Sequence, residues 1–213
     1  MARSKLKKFS KLNELMNVFD IKNTDIKEAL HNYFKDGKHF TLEIGCGHGD
    51  YSVELGQKFP ERNFIGIDMK GTRIYRGAMR SEELKLKNVA FVSIRAERLL
   101  EILVPKSIEE IYIPFPDPHF RRANLNRRLI SPVLLKVYKG LLIDSGKVHF
   151  KTDNKALYEY ALKTITVFGC SVQKATDNLY EKSDSKFASN ILTTFEKHYL
   201  KEGRKIKYIC FRF

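Results

Sequence analysis

Leu42-Glu43-Ile44-Gly45-Cys46-Gly47-His48-Gly49 is the stretch from which the fold is read. An apolar run over 40–44 ends in three alternating glycines, and an amphipathic segment over 51–59 follows. That order predicts a strand, a tight turn and a helix. In doubly wound folds ligands sit at the carboxyl ends of such strands, and glycines let a ligand come close to the backbone. The spacing is GxGxG, not the GxGxxG of dinucleotide folds, and no GK[ST] follows, so this is not a P-loop. A purely structural glycine turn is the competing reading.

Outward from that loop the pattern repeats. Strands are predicted at 63–68, 89–94, 108–114, 146–152, 170–174 and 206–213, and helices at 72–87, 97–103, 129–143, 154–167 and 187–202. Seven strands alternating with helices predict an α/β fold with a mostly parallel sheet. Before residue 37 the chain reads differently. A basic arm leads into an amphipathic piece with Leu12, Leu15, Met16 and Phe19 at helical spacing. Thr24 then caps a helix running to about Phe34, and Asp36-Gly37 breaks it. Residues 1–36 are therefore expected to form a basic extension with short helices. Residues 1–8 bury little apolar surface and are expected to be disordered in the free protein.

Of the 213 residues, 43% are hydrophobic and 30% charged, a globular rather than disordered composition. No uncharged apolar run approaches ~18 residues, so no transmembrane helix is expected. No apolar segment follows the basic start, so no secretory signal is expected. Cys46, Cys170 and Cys210 are scattered without CxxC spacing, which favours neither structural zinc nor a disulfide framework. They read as small buried hydrophobes in a reducing cytoplasm. The six histidines show no HxxxH or HxE spacing, so no metal is assigned.

Lys and Arg total 39 against 25 acids, a net charge of +14. The excess is concentrated. Arg3, Lys5, Lys7, Lys8 and Lys11 have no acid among them, and neither do Arg121, Arg122, Arg127, Arg128, Lys136 and Lys139. Blocks of one sign point to phosphate contacts. A nucleic acid is the first candidate partner, an anionic membrane surface the second, and a merely soluble basic protein the alternative to both.

Three further motifs follow strand ends. Gly66-Ile67-Asp68 places a carboxylate where it accepts both hydroxyls of a ribose. Arg95-Ala96-Glu97 follows the third strand. Glu97 there either meets a ligand or starts a helix, where the dipole favours an acid. Most informative is Phe115-Pro116-Asp117-Pro118-His119-Phe120-Arg121-Arg122-Ala123-Asn124-Leu125-Asn126-Arg127-Arg128-Leu129. Two prolines hold Asp117 rigidly, and the arginines beside it suit bidentate phosphate contacts. Tyr112 and Phe120 read either as core or as base-stacking residues.

The first motif, E-x-G-x-G-x-G, resembles that of class I S-adenosylmethionine (SAM)-dependent methyltransferases. The fourth closely resembles the FPDPWPKKRHxKRRL of the bacterial tRNA (guanine-N7)-methyltransferase family. Lys151-Thr152-Asp153 resembles that family's T-D motif, and Thr193-Thr194-Phe195-Glu196 its T-x-Y-E motif. The resemblance runs from about Leu42 to Phe213. It implies a Rossmann-like fold over 37–213, with helices on both faces of a seven-stranded sheet and an antiparallel final strand. It implies SAM as cofactor, held by Glu43, Gly45, Gly47, Asp68, Arg95, Ala96, Glu97 and Asp117, with Asp117 also catalytic. Arg121, Asp153, Thr193 and Glu196 would bind the substrate base, and Arg122, Asn126, Arg127 and Arg128 would touch RNA. The implied reaction is methylation of guanine N7 at position 46 of the tRNA variable loop, by a cytoplasmic monomer or homodimer. A SAM-dependent enzyme acting on another RNA or DNA base, and a basic RNA-binding protein with a decayed fold, are the alternatives.

Three departures stand out. His119-Phe120 replaces Trp-Pro, and Arg121-Arg122 replaces Lys-Lys. Arg95 stands where the family usually has Asp or Asn. A cation accepts no hydrogen bond from adenine, so that contact would pass to the backbone or to Glu97.

Overall fold

Apolar β-branched and aromatic runs such as Asn63–Asp68 and Val89–Ser93 are buried along nearly their whole length, as parallel strands covered on both faces must be. The computed structural model describes residues 14–20, 25–35, 37–181 and 191–213. The basic arm, Thr24, Asp36 and the first residues of the helix expected over 187–202 lie outside that set.

Two compact units divide at Val104/Pro105. In the first, β1 (Val18–Asp20), β2 (Phe40–Ile44), β3 (Asn63–Asp68) and β4 (Val89–Ser93) lie in the order β1-β4-β3-β2, all parallel. The helices are α1 (Ile26–Phe34), α2 (Asp50–Lys58), α3 (Gly71–Glu83) and the short α4 (Leu99–Ile102), which continues a 3-10 turn at Ala96–Arg98. Asp25 caps α1 by accepting from the Lys27 and Glu28 amides.

β1 corrects two expectations. The piece expected to be helical around Phe19 is a strand, and among the described residues the strands number eight rather than seven. Val18–Asp20 pairs along β4, whose edge would otherwise be open, while the Phe91 amide donates to Asn17 O at 2.8 Å and Asn17 Nδ2 donates to Ala78 O at 3.1 Å. Residues before 37 are thus partly built into the sheet of the first unit rather than forming only an appendage.

The second unit holds β5 (Ile108–Pro114), β6 (Leu142–Thr152), β7 (Ser171–Thr176) and β8 (Lys207–Arg212), in the order β5-β6-β8-β7. β5 and β6 are parallel, and the final strand inserts antiparallel to both β6 and β7. Its helices are α5 (Pro132–Leu141), α6 (Lys155–Val167) and α7 (Thr194–Lys201). Pro132 opens α5 at a position where its missing N–H has no cost, and Asn154 caps α6 by accepting from the Leu157 amide at 2.8 Å. Tyr112 is core: it is buried and stacks on His149 with ring centroids 4.5 Å apart. Phe120 is 64% exposed.

Candidate active site

In the first unit the glycine loop folds over the end of β3. The Gly45 and Cys46 amides both donate to Ile67 O, at 2.8 and 2.9 Å. Gly45, Gly47 and Gly49 have φ of 73°, 55° and 72°, a region that disfavours side chains. The glycines differ in role. A Cβ built on Gly47 meets nothing within 4 Å, whereas one on Gly49 would lie 2.4 Å from the Phe91 ring. Gly47 thus leaves open space for a ligand, and Gly49 is small so that the loop can pack.

Asp68 anchors this loop. It is buried, its Oδ2 accepts from the Gly47 amide at 3.1 Å, and its Oδ1 accepts from the Lys70 amide at 2.8 Å. Glu43 does the same for α2: Ser52 donates to Glu43 Oε2 from its amide at 2.8 Å and from its hydroxyl at 2.5 Å. Burial pushes the Glu43 carboxyl up to about 8, with Asp50 and Asp68 adding to the rise and the Ser52 bonds opposing it. Cys46 is buried, and its thiol is raised well above its ordinary value, by burial first and then by the charges of Glu43 and Asp68. Ala96 is buried in the 3-10 turn, while Arg95 and Glu97 are exposed and 3.7 Å apart. Glu97 thus stands in the first turn of that short helix, beside the cation it was expected to replace as a contact.

In the second unit Pro114 of β5 registers with Lys151 of β6, so the carboxyl ends of the two strands lie side by side. Asp117 follows one and Asp153 the other. The Phe115 amide donates to Lys151 O at 2.8 Å, fastening the start of the Asp117 loop. Asp117 is exposed, between Phe115 and His119, whose φ of 51° and 43° are both left-handed. Arg121, Asn126 and Arg127 are exposed beyond it. The side chain of Arg122 lies outside the described residues. Arg128, grouped with these by sequence, is buried instead.

Asp153 Oδ2 accepts from Arg204 Nη1 at 2.8 Å, and its carbonyl accepts from Lys207 Nζ at 3.1 Å. Arg204 also lies 2.7 Å from Glu202 and over the Tyr199 ring. Thr193 and Glu196 stand elsewhere than expected. Thr193 is buried, and its hydroxyl caps α7 by accepting from the Glu196 amide at 3.0 Å. Glu196 is wholly buried, and its oxygens take Lys151 Nζ at 3.2 and 3.3 Å and the Tyr180 hydroxyl at 2.6 Å. These two residues tie α7 to the end of β6 rather than presenting groups to solvent. Arg204, Lys151 and Tyr180 were missed by sequence reasoning. Only Lys151 carried a signal, as the neighbour of Thr152-Asp153. Among the described residues no three His, Cys, Asp or Glu gather as a metal site.

Solved structures similar to this fold include several methyltransferases. An antibiotic-related methyltransferase aligns at TM-score 0.62 and 19% identity, covering 87% of this chain and 92% of that one. The 16S rRNA methyltransferase KamB aligns at 0.65 and 12%, covering 86% and 91%. A SAM-dependent methyltransferase from Aquifex aeolicus aligns at 0.56 and 13%, covering 95% and 96%. The fold is thus a methyltransferase fold. A family model described as "Putative methyltransferase" matches residues 37–209. Relatives named tRNA (guanine-N(7)-)-methyltransferase come from Cytophaga hutchinsonii, 36% identical over 100% of this chain and 99% of the relative, and Porphyromonas gingivalis, 38% over 84% and 73%. The chain belongs to the tRNA (guanine-N7)-methyltransferase family.

Proposed function

We propose that the protein transfers the methyl group of SAM to N7 of guanine 46 in the variable loop of tRNA. The observation that carries this reading is the pair of carboxylates, Asp117 and Asp153, at the ends of two paired strands. One is exposed in a proline-held loop followed by exposed arginines, and the other is held by Arg204. The first unit's loop suits the cofactor. Open space over Gly47 accommodates its methionine end, Glu43 lies beneath the loop, and Asp68 supplies acceptor oxygens for a ribose. When bound there, SAM supplies an electrophilic methyl group.

Guanine N7 carries an in-plane lone pair and no proton, so no general base is required. The demand on the protein is to orient the base and to stabilise the positive charge its ring gains. A carboxylate accepting from guanine N1–H or the exocyclic amine does both. Asp117 and Asp153 are the groups assigned to this, with Arg204 holding one oxygen of Asp153 and leaving the other for the base. Removing one such carboxylate raises the barrier by ~2.7–4 kcal/mol if the oxyanion-hole magnitude applies. Arg121 and Arg127 neutralise phosphates, which fixes the tRNA without reading a linear sequence.

Both sets of residues belong to one chain, so a monomer or a homodimer serves equally. No described helix is long and apolar enough to cross a membrane, and tRNA as substrate assigns the work to the cytoplasm. A tRNA transcript with guanosine 46 replaced by adenosine tests the position. Loss of methyl incorporation is expected, and undiminished incorporation would move the target elsewhere.

A further inference from the structure

Asp117 sits in a loop that its own backbone scarcely holds. Pro114, Pro116 and Pro118 have no N–H to donate. Phe115 and His119, on either side of Asp117, adopt left-handed φ without being glycines. Such conformations cost on the order of 1–3 kcal/mol each and persist only where surrounding contacts fix them. One fixing contact is the Phe115 amide on Lys151 O. A second is the packing of the Phe115 ring on Tyr199, centroids 5.5 Å apart, and on the other side of Asp117 the contacts come from Arg128.

Arg128 is only 8% exposed. Its Nε donates to Pro118 O at 2.8 Å, and its Nη2 reaches His119 O at 3.5 Å. Its guanidinium lies over the ring of Tyr160, on α6, 4.2 Å from the centroid. Phosphate-binding arginines present their fork to solvent, as exposed Arg121 and Arg127 are free to do. Arg128 instead turns its fork inward, onto the two carbonyls that follow Asp117, with an aromatic seat beneath it. We infer that Arg128 is a positioning residue: seated on Tyr160, it clamps the carbonyls of Pro118 and His119 and so holds the Asp117 loop in its reactive shape, and it is not a phosphate contact.

This rests on the proposed role of Asp117, so the test includes a readout that needs no catalysis. Four full-length variants are compared with the wild type: Arg128→Lys, Arg128→Ala, Tyr160→Leu and, as the phosphate comparator, Arg127→Ala. Arg128→Lys keeps the charge and the methylene stem but loses both the fork and the flat stacking surface, so it remains foldable if Arg128→Ala is not. The measurements are kcat at saturating tRNA, the slope of log Kd for tRNA against log salt, and hydrogen–deuterium exchange of the peptide spanning 115–121.

Arg128→Lys and Tyr160→Leu are expected to lower kcat on the order of 10- to 100-fold, the penalty of about an ångström of misplacement. They should leave the salt slope unchanged and speed exchange over 115–121. Arg127→Ala should lower the slope by about 1 and leave loop exchange unchanged. Retained kcat and unchanged exchange in Arg128→Lys would overturn the clamp, and a slope lowered by about 1 in Arg128→Ala would make Arg128 a phosphate contact. Faster exchange in the two clamp variants with kcat unaffected would keep the clamp as structure but remove Asp117 from the chemistry, so the two failures are distinguishable.

Discussion

Arg204 Nη1 lies 2.8 Å from Asp153 Oδ2, joining the loop before the last strand to the end of β6. The arginine is half exposed, with 48% of its side chain accessible against 19% for Asp153. An ion pair that open to water contributes at most about 1 kcal/mol to folding. Its consequence is orientational. Arg204 is itself fixed by Glu202 and by the Tyr199 ring, so it leaves Asp153 one preferred direction. Arg204→Ala is expected to cost less than about 1 kcal/mol in urea unfolding while raising KM for tRNA severalfold. An unchanged KM would remove Arg204 from the site.

The Lys151–Glu196 pair behaves in the opposite way because it is buried on both sides. Burial lowers the Lys151 ammonium below its ordinary value, and Glu196 opposes that. Deleting one partner strands a charge in the interior, at a cost of about 3–5 kcal/mol. Glu196→Gln should therefore lower unfolding free energy by an amount of that order. A Lys151→Met/Glu196→Leu double variant should recover most of the loss. Equal stabilities of the single and double variants would contradict this account of the pair.

Glu43 gives a pH dependence. Its folded-state value of about 8 exceeds the ordinary 4.5, so the native state holds a proton that the unfolded chain releases. The stabilisation from that proton is fully present below about 4.5 and is lost as pH rises toward 8. Unfolding free energy should fall between these limits with a slope of at most about 1.4 kcal/mol per pH unit from this group. Glu43→Gln should remove that slope. The same slope in wild type and variant, measured by urea unfolding at pH 5.5 and pH 8, would show that Glu43 titrates normally.

Two glycines separate cofactor binding from packing. Gly47 has φ of 55° and open space beyond its Cα, so Gly47→Ala should cost about 1–2 kcal/mol from backbone strain alone and weaken SAM binding. Gly77 has no positive φ, but a Cβ there would lie 2.6 Å from His48 O and 3.0 Å from Gly49 Cα. Gly77→Ala should push α3 off the loop and lower both stability and SAM affinity. Thermal shift without SAM reads the lost stability of each variant, and the further shift on adding SAM reads its lost affinity; an unchanged shift in either variant would contradict the role given to that glycine.

Much of this architecture is legible in the residues. β3 and β5 occupy the ranges their apolar runs define, and α1 ends at Phe34 as expected. β1 was not legible, because Leu12, Leu15, Met16 and Phe19 fall at helical spacing and the strand that replaces that pattern is three residues long. It exists only because β4 offers an edge. Motif positions were legible, but the direction of their side chains was not. Arg127 and Arg128 are adjacent in sequence and of one type, yet one is exposed and the other is folded onto Pro118 O. Thr193 to Glu196 reads as a substrate motif, and it is also the T-x-x-E of a helix cap. In the structure Thr193 fills the capping role, while Glu196 turns to Lys151. Partners distant in sequence, such as Arg204 for Asp153 and Tyr160 for Arg128, have no local signature.

Product identification tests the central claim most directly. The purified protein is incubated with labelled SAM and unmodified tRNA, the RNA is digested, and the nucleosides are resolved by chromatography and mass. The account predicts 7-methylguanosine as the labelled product, abolished or sharply reduced in Asp117→Ala. A labelled nucleoside other than 7-methylguanosine, or full turnover by Asp117→Ala, would contradict it.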